Sequence, residues 1–207
     1  MKNVDTKTVQ GFGEEWSLLS QDRLDSLEAA QIFDDYFKIF PWQMLSAGAI
    51  GADLGCGSGR WARLVCKRVG HLFLCDASEK AIGVAKRNLS DEKNVSFRCV
   101  SVSDTGFEPE SLDFAYSLGV LHHVPDATDA LRHIAVVLKP DAPLLLYLYY
   151  SFENRSRWFR WLWRVSDLMR WVISRLPYKV RHAVTFLLTV VIYWPLSRTG
   201  RFLAYFD

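Results

Sequence analysis

The stretch Ala49-Ile50-Gly51-Ala52-Asp53-Leu54-Gly55-Cys56-Gly57-Ser58-Gly59-Arg60 constrains this chain more than any other. A short apolar run ends in an acid and then in glycines spaced by two, which reads as a buried strand stopping at a tight turn. Gly55, Gly57 and Gly59 lack a Cβ, so the backbone there can take positive φ and let a ligand come to contact distance. Residues 61–69 then show helical periodicity, giving strand, glycine turn and helix. A lone Gly-x-Gly-x-Gly is weak evidence for a ligand.

The next segment strengthens it, because residues 71–76 read as a second apolar strand that also ends in an acid, Asp76, 21 residues after Gly55. A carboxylate at the end of the second strand of a βαβ unit is where such folds hold the two ribose hydroxyls of an adenosine. The spacing is not the dinucleotide Gly-x-Gly-x-x-Gly, whose helix N-terminus receives a pyrophosphate. Asp53 stands just before the glycines, where a carboxylate repels phosphate and attracts a cation. The ligand expected is a positively charged adenosine that carries an amino acid and no phosphate.

At these residues the sequence resembles the class I S-adenosylmethionine-dependent methyltransferases, in particular small-molecule enzymes of the type 11-like branch, whose first motif is acid-x-Gly-x-Gly-x-Gly. The resemblance continues through Ser111-Leu112-Asp113-Phe114-Ala115-Tyr116-Ser117, Leu121-His122-His123-Val124-Pro125-Asp126 and Leu138-Lys139-Pro140-Asp141-Ala142-Pro143, and covers residues 46–150. It implies an α/β fold, a Rossmann-like doubly wound and mostly parallel sheet with five strands in this chain. An N-terminal helical cap (1–45) and a C-terminal helical arm (151–207) flank that core. It implies S-adenosylmethionine as cofactor, with Asp53, Gly55, Cys56, Gly57 and Gly59 around its methionine part and Asp76 and Ala77 at the ribose. Leu118 would stand beside it, and Asp104 or its competitor Ser101 would meet the adenine amino group. The family usually carries seven strands, and no final antiparallel pair is read before Asp207, so a fragment and a short variant are both open.

At 207 residues and 50% hydrophobic the chain can bury one α/β core with appendages. The net charge of +2 hides an asymmetry: residues 155–201 hold ten Lys or Arg against one acid, Asp167, and five of the eight tryptophans. Cys56, Cys66, Cys75 and Cys99 show no metal-ligand spacing and read as buried hydrophobes in a reduced compartment. The first twenty residues are too polar for a signal peptide, which points to the cytoplasm, with membrane association as the variant reading.

Taken in order, residues 1–10 read as a mobile tail, Phe12 and Trp16 as a lid candidate, and residues 24–40 as a helix stopped by Pro41. Residues 78–88 and 126–138 read as helices, and 95–100, 112–117 and 144–150 as strands, the last expected to be central and buried on both faces. His122 and His123 are candidate bases for the proton that a methylated hydroxyl or amine loses. Backbone hydrogen bonding at the start of a helix is the competing role, and neither has the partners of a metal site. Tyr149, Tyr150, Asn154 and Trp161 are the acceptor-binding candidates, with aromatic packing as the alternative.

Beyond residue 155 apolar residues recur at helical intervals up to Pro177, and a second apolar stretch of about twelve residues lies between His182 and Pro195, short of the roughly 20 that span a bilayer. Helix packing that shapes a hydrophobic acceptor pocket is the first reading of this arm, peripheral membrane contact through residues 155–201 the second, and nucleic acid a distant third. The function expected is methyl transfer to a small or lipid-like acceptor. The alternative is a non-catalytic S-adenosylmethionine-binding accessory subunit or a truncated methyltransferase fragment.

Overall fold

A computed structural model of the chain describes residues 1–18, 26–149 and 154–203. They divide into two units, Met1–Tyr149 and Tyr150–Asp207, each taken by itself.

In the first unit α1 (Thr6–Leu18) begins at Asp5, whose carboxylate accepts the Lys7 N–H at 3.0 Å and the Thr8 hydroxyl at 2.9 Å. That cap satisfies donors that a helix start leaves orphaned, so residues 6–10, expected as a loose tail, are helical instead. After α2 (Ser26–Phe37) come β1 (Ile50–Leu54) and a very short α3 (Ala62–Val65) extended by a 3₁₀ turn, Cys66–Arg68. The helix expected over 61–69 ends early because Asn94 Nδ2 takes the Cys66 and Val69 carbonyls (2.7 and 3.1 Å) and the backbone of Gly70 packs against Gly48, turning the chain into the next strand.

There follow β2 (His71–Asp76), α4 (Glu79–Asn88), β3 (Val95–Cys99), β4 (Phe114–Leu118), α5 (Ala127–Val137) and β5 (Leu144–Tyr147). Ser78 Oγ accepts the Ala81 N–H and Asp126 the Asp129 N–H, so both long helices of the core carry side-chain N-caps.

All five strands run parallel in the order β3-β2-β1-β4-β5. β5 is therefore an edge strand among the described residues and only part-buried, a correction to the central position that its apolar run implied. Hydrophobic length alone does not distinguish an edge from a centre when a helix covers one face. The sheet is packed on both sides, by Phe33, Phe37, Trp61 and Val65 with α2 and α3, and by Leu121, Ile134 and Val137 with α5.

The second unit holds α6 (Arg157–Ser174), then α7 (Tyr178–Leu188), one π-helical turn (Thr189–Tyr193) and α8 (Trp194–Leu203) in unbroken succession. Pro195, expected as a stop, falls just after the π-helical turn, and the helix continues through it. Among the described residues no helix is long and apolar enough to cross a membrane.

Candidate active site

In a parallel sheet the loops leaving the carboxyl ends gather along one edge. Here the chain winds one way from β1 through β2 and β3, then returns to the other side of β1 for β4 and β5. The crevice outside the carboxyl ends of β1 and β4, where the order reverses, is the place such folds leave for a ligand. A cavity of about 150 Å³ lies there. Its walls come from the loops after four strands: Gly55 after β1, Asp76 and Ala77 after β2, Ser101 and Val102 after β3, Leu118 to Val120 after β4.

The glycine turn is built as its spacing requires. Gly55, Gly57 and Gly59 have φ of 90°, 53° and 75°, a region costly for residues with a Cβ. The Gly55 and Cys56 N–H groups both donate to the Cys75 carbonyl, at 2.7 and 3.0 Å, binding the turn to the end of β2. Asp76 is clamped from both sides: Gly57 N–H donates to its Oδ2 at 3.0 Å and Ser78 N–H to its Oδ1 at 2.8 Å. Burial raises its pKa while those two N–H groups pull it down. Each oxygen keeps a second lone pair, so the carboxylate can still accept from a diol in the cavity.

α1 roofs this space. Phe12 and Trp16 line the cavity, and a Cβ on Gly57 would stand 2.9 Å from the Trp16 indole. Two devices hold the roof. Gly13 packs on Ser78, so a Cβ there would displace the hydroxyl that caps α4, and Asn3 clasps the opposite rim. The Asn3 amide donates to Ser103 Oγ at 2.8 Å and to the Asp126 carbonyl at 2.7 Å, while its oxygen accepts the Asp126 N–H at 2.8 Å. With α1 in place the cavity is smaller than the roughly 300–1,000 Å³ of ordinary small-molecule sites.

Beside the cavity runs a row of rings. Tyr36 lies 5.0 Å from Tyr147, Tyr147 5.9 Å from Tyr149, Tyr149 4.2 Å from His122, His122 4.1 Å from His123, and His123 4.9 Å from Phe12. The row links α2 to α1 across the carboxyl ends of β4 and β5. Both nitrogens of His122 are buried and have no hydrogen-bond partner among the described residues. Burial, with His123 beside it, holds the His122 pKa below the ordinary imidazole value, and burial does the same for His123.

Gly55, Asp76, Ala77, Ser101, Leu118 and His123 all face the cavity. Asp53 is buried behind it, accepting the Tyr116 hydroxyl at 3.0 Å, and burial pushes its pKa up to about 8. Cys56 is buried, its thiol on the Gly57 carbonyl at 3.8 Å and its pKa pushed well above the usual range by burial. Gly59 packs on Leu89. Asp104 is exposed and donates its N–H to the Ser101 carbonyl, away from the cavity walls. Tyr149 belongs to the ring row. Tyr150 lies outside the described residues, and Asn154 and Trp161 are exposed in the second unit.

Asn3 and Tyr116 were not anticipated. Asn3 carried one signal, an Asn two residues before a capping Asp, and indeed has φ of 53°. Val120 fills the space over Gly55, a contact that only the fold creates.

An adenosine ligand fits these residues: an acceptor carboxylate, Asp76, for two hydroxyls, and apolar walls from Val102, Val120 and Val124 for a flat base; Asp53, expected to repel phosphate, is instead buried behind the cavity with its pKa raised to about 8. Residues 52–146 match the family described as "Methyltransferase domain". A ubiquinone biosynthesis O-methyltransferase of Xanthomonas euvesicatoria is 33% identical over 48% of this chain and 43% of its own length. One from Coxiella burnetii is 26% identical over 58% and 50%. The chain thus spans half or less of these relatives. A Haemonchus contortus phosphoethanolamine N-methyltransferase structure, bound to phosphoethanolamine and S-adenosylhomocysteine, superposes with a TM-score of 0.52, at 15% identity, over 64% of this chain and 30% of that one.

Proposed function

We propose that this chain, whose residues 52–146 match the methyltransferase-domain family, is a class I S-adenosylmethionine-dependent methyltransferase that transfers a methyl group to a hydroxyl of a small or lipid-like acceptor. The observation that carries the reading is Asp76, held by two backbone N–H groups at the rim of a cavity at the topological switch point.

Bound there, S-adenosylmethionine supplies a methyl group already activated on a sulfonium. The protein's tasks are to position and to exclude water. Asp76 would hold the ribose hydroxyls, the left-handed turn at Gly55 and Gly57 lets the methionine part approach the backbone, and Val102 and Val120 flank the base. Ser101, which lines the cavity, is better placed than the exposed Asp104 to meet the adenine edge. α1 would keep water out through Phe12 and Trp16.

A hydroxyl acceptor loses a proton as its oxygen gains the methyl carbon, and His122, whose buried nitrogens become reachable once the acceptor parts the ring row, would take that proton at a ring nitrogen. Its lowered pKa leaves the imidazole neutral at neutral pH, and neither nitrogen is committed to another partner among the described residues. Tyr149, beside it, and Tyr147, next to Tyr149, offer flat, polar-tipped surfaces suited to an aromatic or lipid-like acceptor. The relatives named for ubiquinone biosynthesis support this choice of acceptor class.

Incubation with methyl-labelled S-adenosylmethionine and a cell extract, partitioned between water and organic solvent, tests the reading. Label in the organic phase that depends on His122 supports it. Cofactor binding without transfer to either phase would favour the accessory-subunit alternative.

A further inference from the structure

The helices of the second unit carry an apolar surface that the described residues of that unit leave exposed. On α6 the residues Trp158, Trp161, Leu162, Val165, Leu168, Met169 and Val172 fall on one arc of the helix, as 3.6-residue periodicity requires. Trp158, Trp161 and Leu168 remain 67%, 66% and 62% exposed. No residue of α6 is buried. Arg157, Arg160 and Arg164, spaced three and four apart, line one border of that arc and share a shallow hollow with Trp158 and Trp161. Phe186, Leu187, Val190, Val191 and Ile192 in α7 and the π turn are exposed as well.

We infer that this arm is a docking surface for an anionic phospholipid bilayer, with α6 lying in the interfacial plane. Three observations choose that occupant. The charge is complementary, since ten Lys or Arg face one acid over residues 155–201. On α6 an arc of mixed aliphatic and tryptophan side chains is bordered on one side by Arg157, Arg164 and Arg160, so a helix lying in the interface can bury the arc among acyl chains while the arginines meet phosphate. The exposed apolar face also runs nearly the length of α6, from Trp158 to Val172, the kind of continuous face that an interfacial helix buries. A protein groove would need the aliphatic arc but not the arginine border.

The test uses the full 207-residue chain and vesicles of phosphatidylglycerol and phosphatidylcholine in equal parts, against pure phosphatidylcholine. Co-sedimentation should be strong with the mixed vesicles, weak with the neutral ones, and reduced by salt. Replacing Arg157, Arg160 and Arg164 together by Gln, which keeps helix propensity, should weaken binding to mixed vesicles about a hundredfold, since each basic residue near such a surface contributes about fivefold. Trp158→Gln with Leu168→Gln should weaken it too, with helix content by circular dichroism unchanged. No sedimentation with mixed vesicles at low salt, binding indifferent to the three arginines, or a concentration-dependent dimer in place of vesicle binding would each overturn the inference. S-adenosylmethionine affinity measured on the same samples keeps the two readings apart. Its loss with vesicle binding intact would count against the methyltransferase proposal and leave the docking surface standing.

Discussion

Tyr116 donates its phenolic hydrogen to Asp53 Oδ2 across 3.0 Å, within a core where Tyr116 is 0% and Asp53 3% exposed. The contact follows from register, since Asp53 on β1 and Tyr116 on β4 are paired neighbours on one face of the sheet. Burial outweighs that hydrogen bond and lifts the Asp53 pKa from 3.8 to about 8.

The sign of the resulting pH dependence is set by that direction. The folded chain keeps a proton that the unfolded chain releases above its ordinary carboxylate pKa, so Asp53 contributes stability below about pH 4 that is lost as pH rises through about 8. Asp76, raised in the same direction, adds to the fall. Asp53→Asn, permanently neutral, should flatten the decline in unfolding free energy between about pH 5 and pH 8 by an amount on the order of a few kcal/mol. Denaturant titrations at several pH values check this, and an unchanged slope would mean that Asp53 is ionised in the fold.

The roof makes a separate prediction. Gly13→Val would crowd the Ser78 hydroxyl that caps α4 and should loosen α1, whose Trp16 covers Gly57. Cofactor affinity should fall about tenfold, with faster release, while amide exchange in the sheet stays slow. Asn3→Ala, which removes three hydrogen bonds at the other end of the roof, should do the same to a smaller extent. Rates of S-adenosylmethionine dissociation measure both.

These two cases show what the sequence held and what it withheld. The glycine turn, the acid 21 residues later and the run of parallel strands are local patterns, and the strands at 50–54 and 71–76 stand where apolar runs ending in acids placed them. The helix caps at Ser78 and Asp126 were equally local. The Asp53–Tyr116 pair depends on register between strands 63 residues apart, and the Asn3 clasp on a loop 100 residues away. No window along the chain contains either. β5 was misjudged as central because an edge strand in this sheet carries the same apolar run that a central one would.

At the adenine end the two candidates separate by placement. Ser101, 2% exposed and lining the cavity, should matter to the cofactor, and Asp104, exposed, should not. Ser101→Ala is expected to weaken S-adenosylmethionine binding by about three- to tenfold, the worth of one hydrogen bond. Asp104→Ala should leave it unchanged. Equal losses would place the base elsewhere.

His122 and His123 should differ in kind. His122→Gln should cut methyl-transfer turnover by about a hundredfold or more and leave cofactor affinity alone. In the unsubstituted enzyme the rate should rise as pH passes through an imidazole pKa below the ordinary 6.5, then level off. The variant should lose that limb. His123→Gln, at the Phe12 contact, should instead alter cofactor affinity. A pH–rate profile for each variant distinguishes them.

The central claim is that the cavity at the switch point binds S-adenosylmethionine through Asp76 and the glycine turn. Equilibrium titration of the 207-residue chain with S-adenosylmethionine tests it, alongside Asp76→Ala and Gly57→Val. Asp76→Ala removes charge-assisted hydrogen bonds and should weaken binding by about ten- to a hundredfold. Gly57→Val combines a φ of 53° with a collision at Trp16 and should weaken binding at least as far. Saturable binding that both substitutions impair is the predicted result; binding that neither changes, in variants that remain folded, would contradict the account.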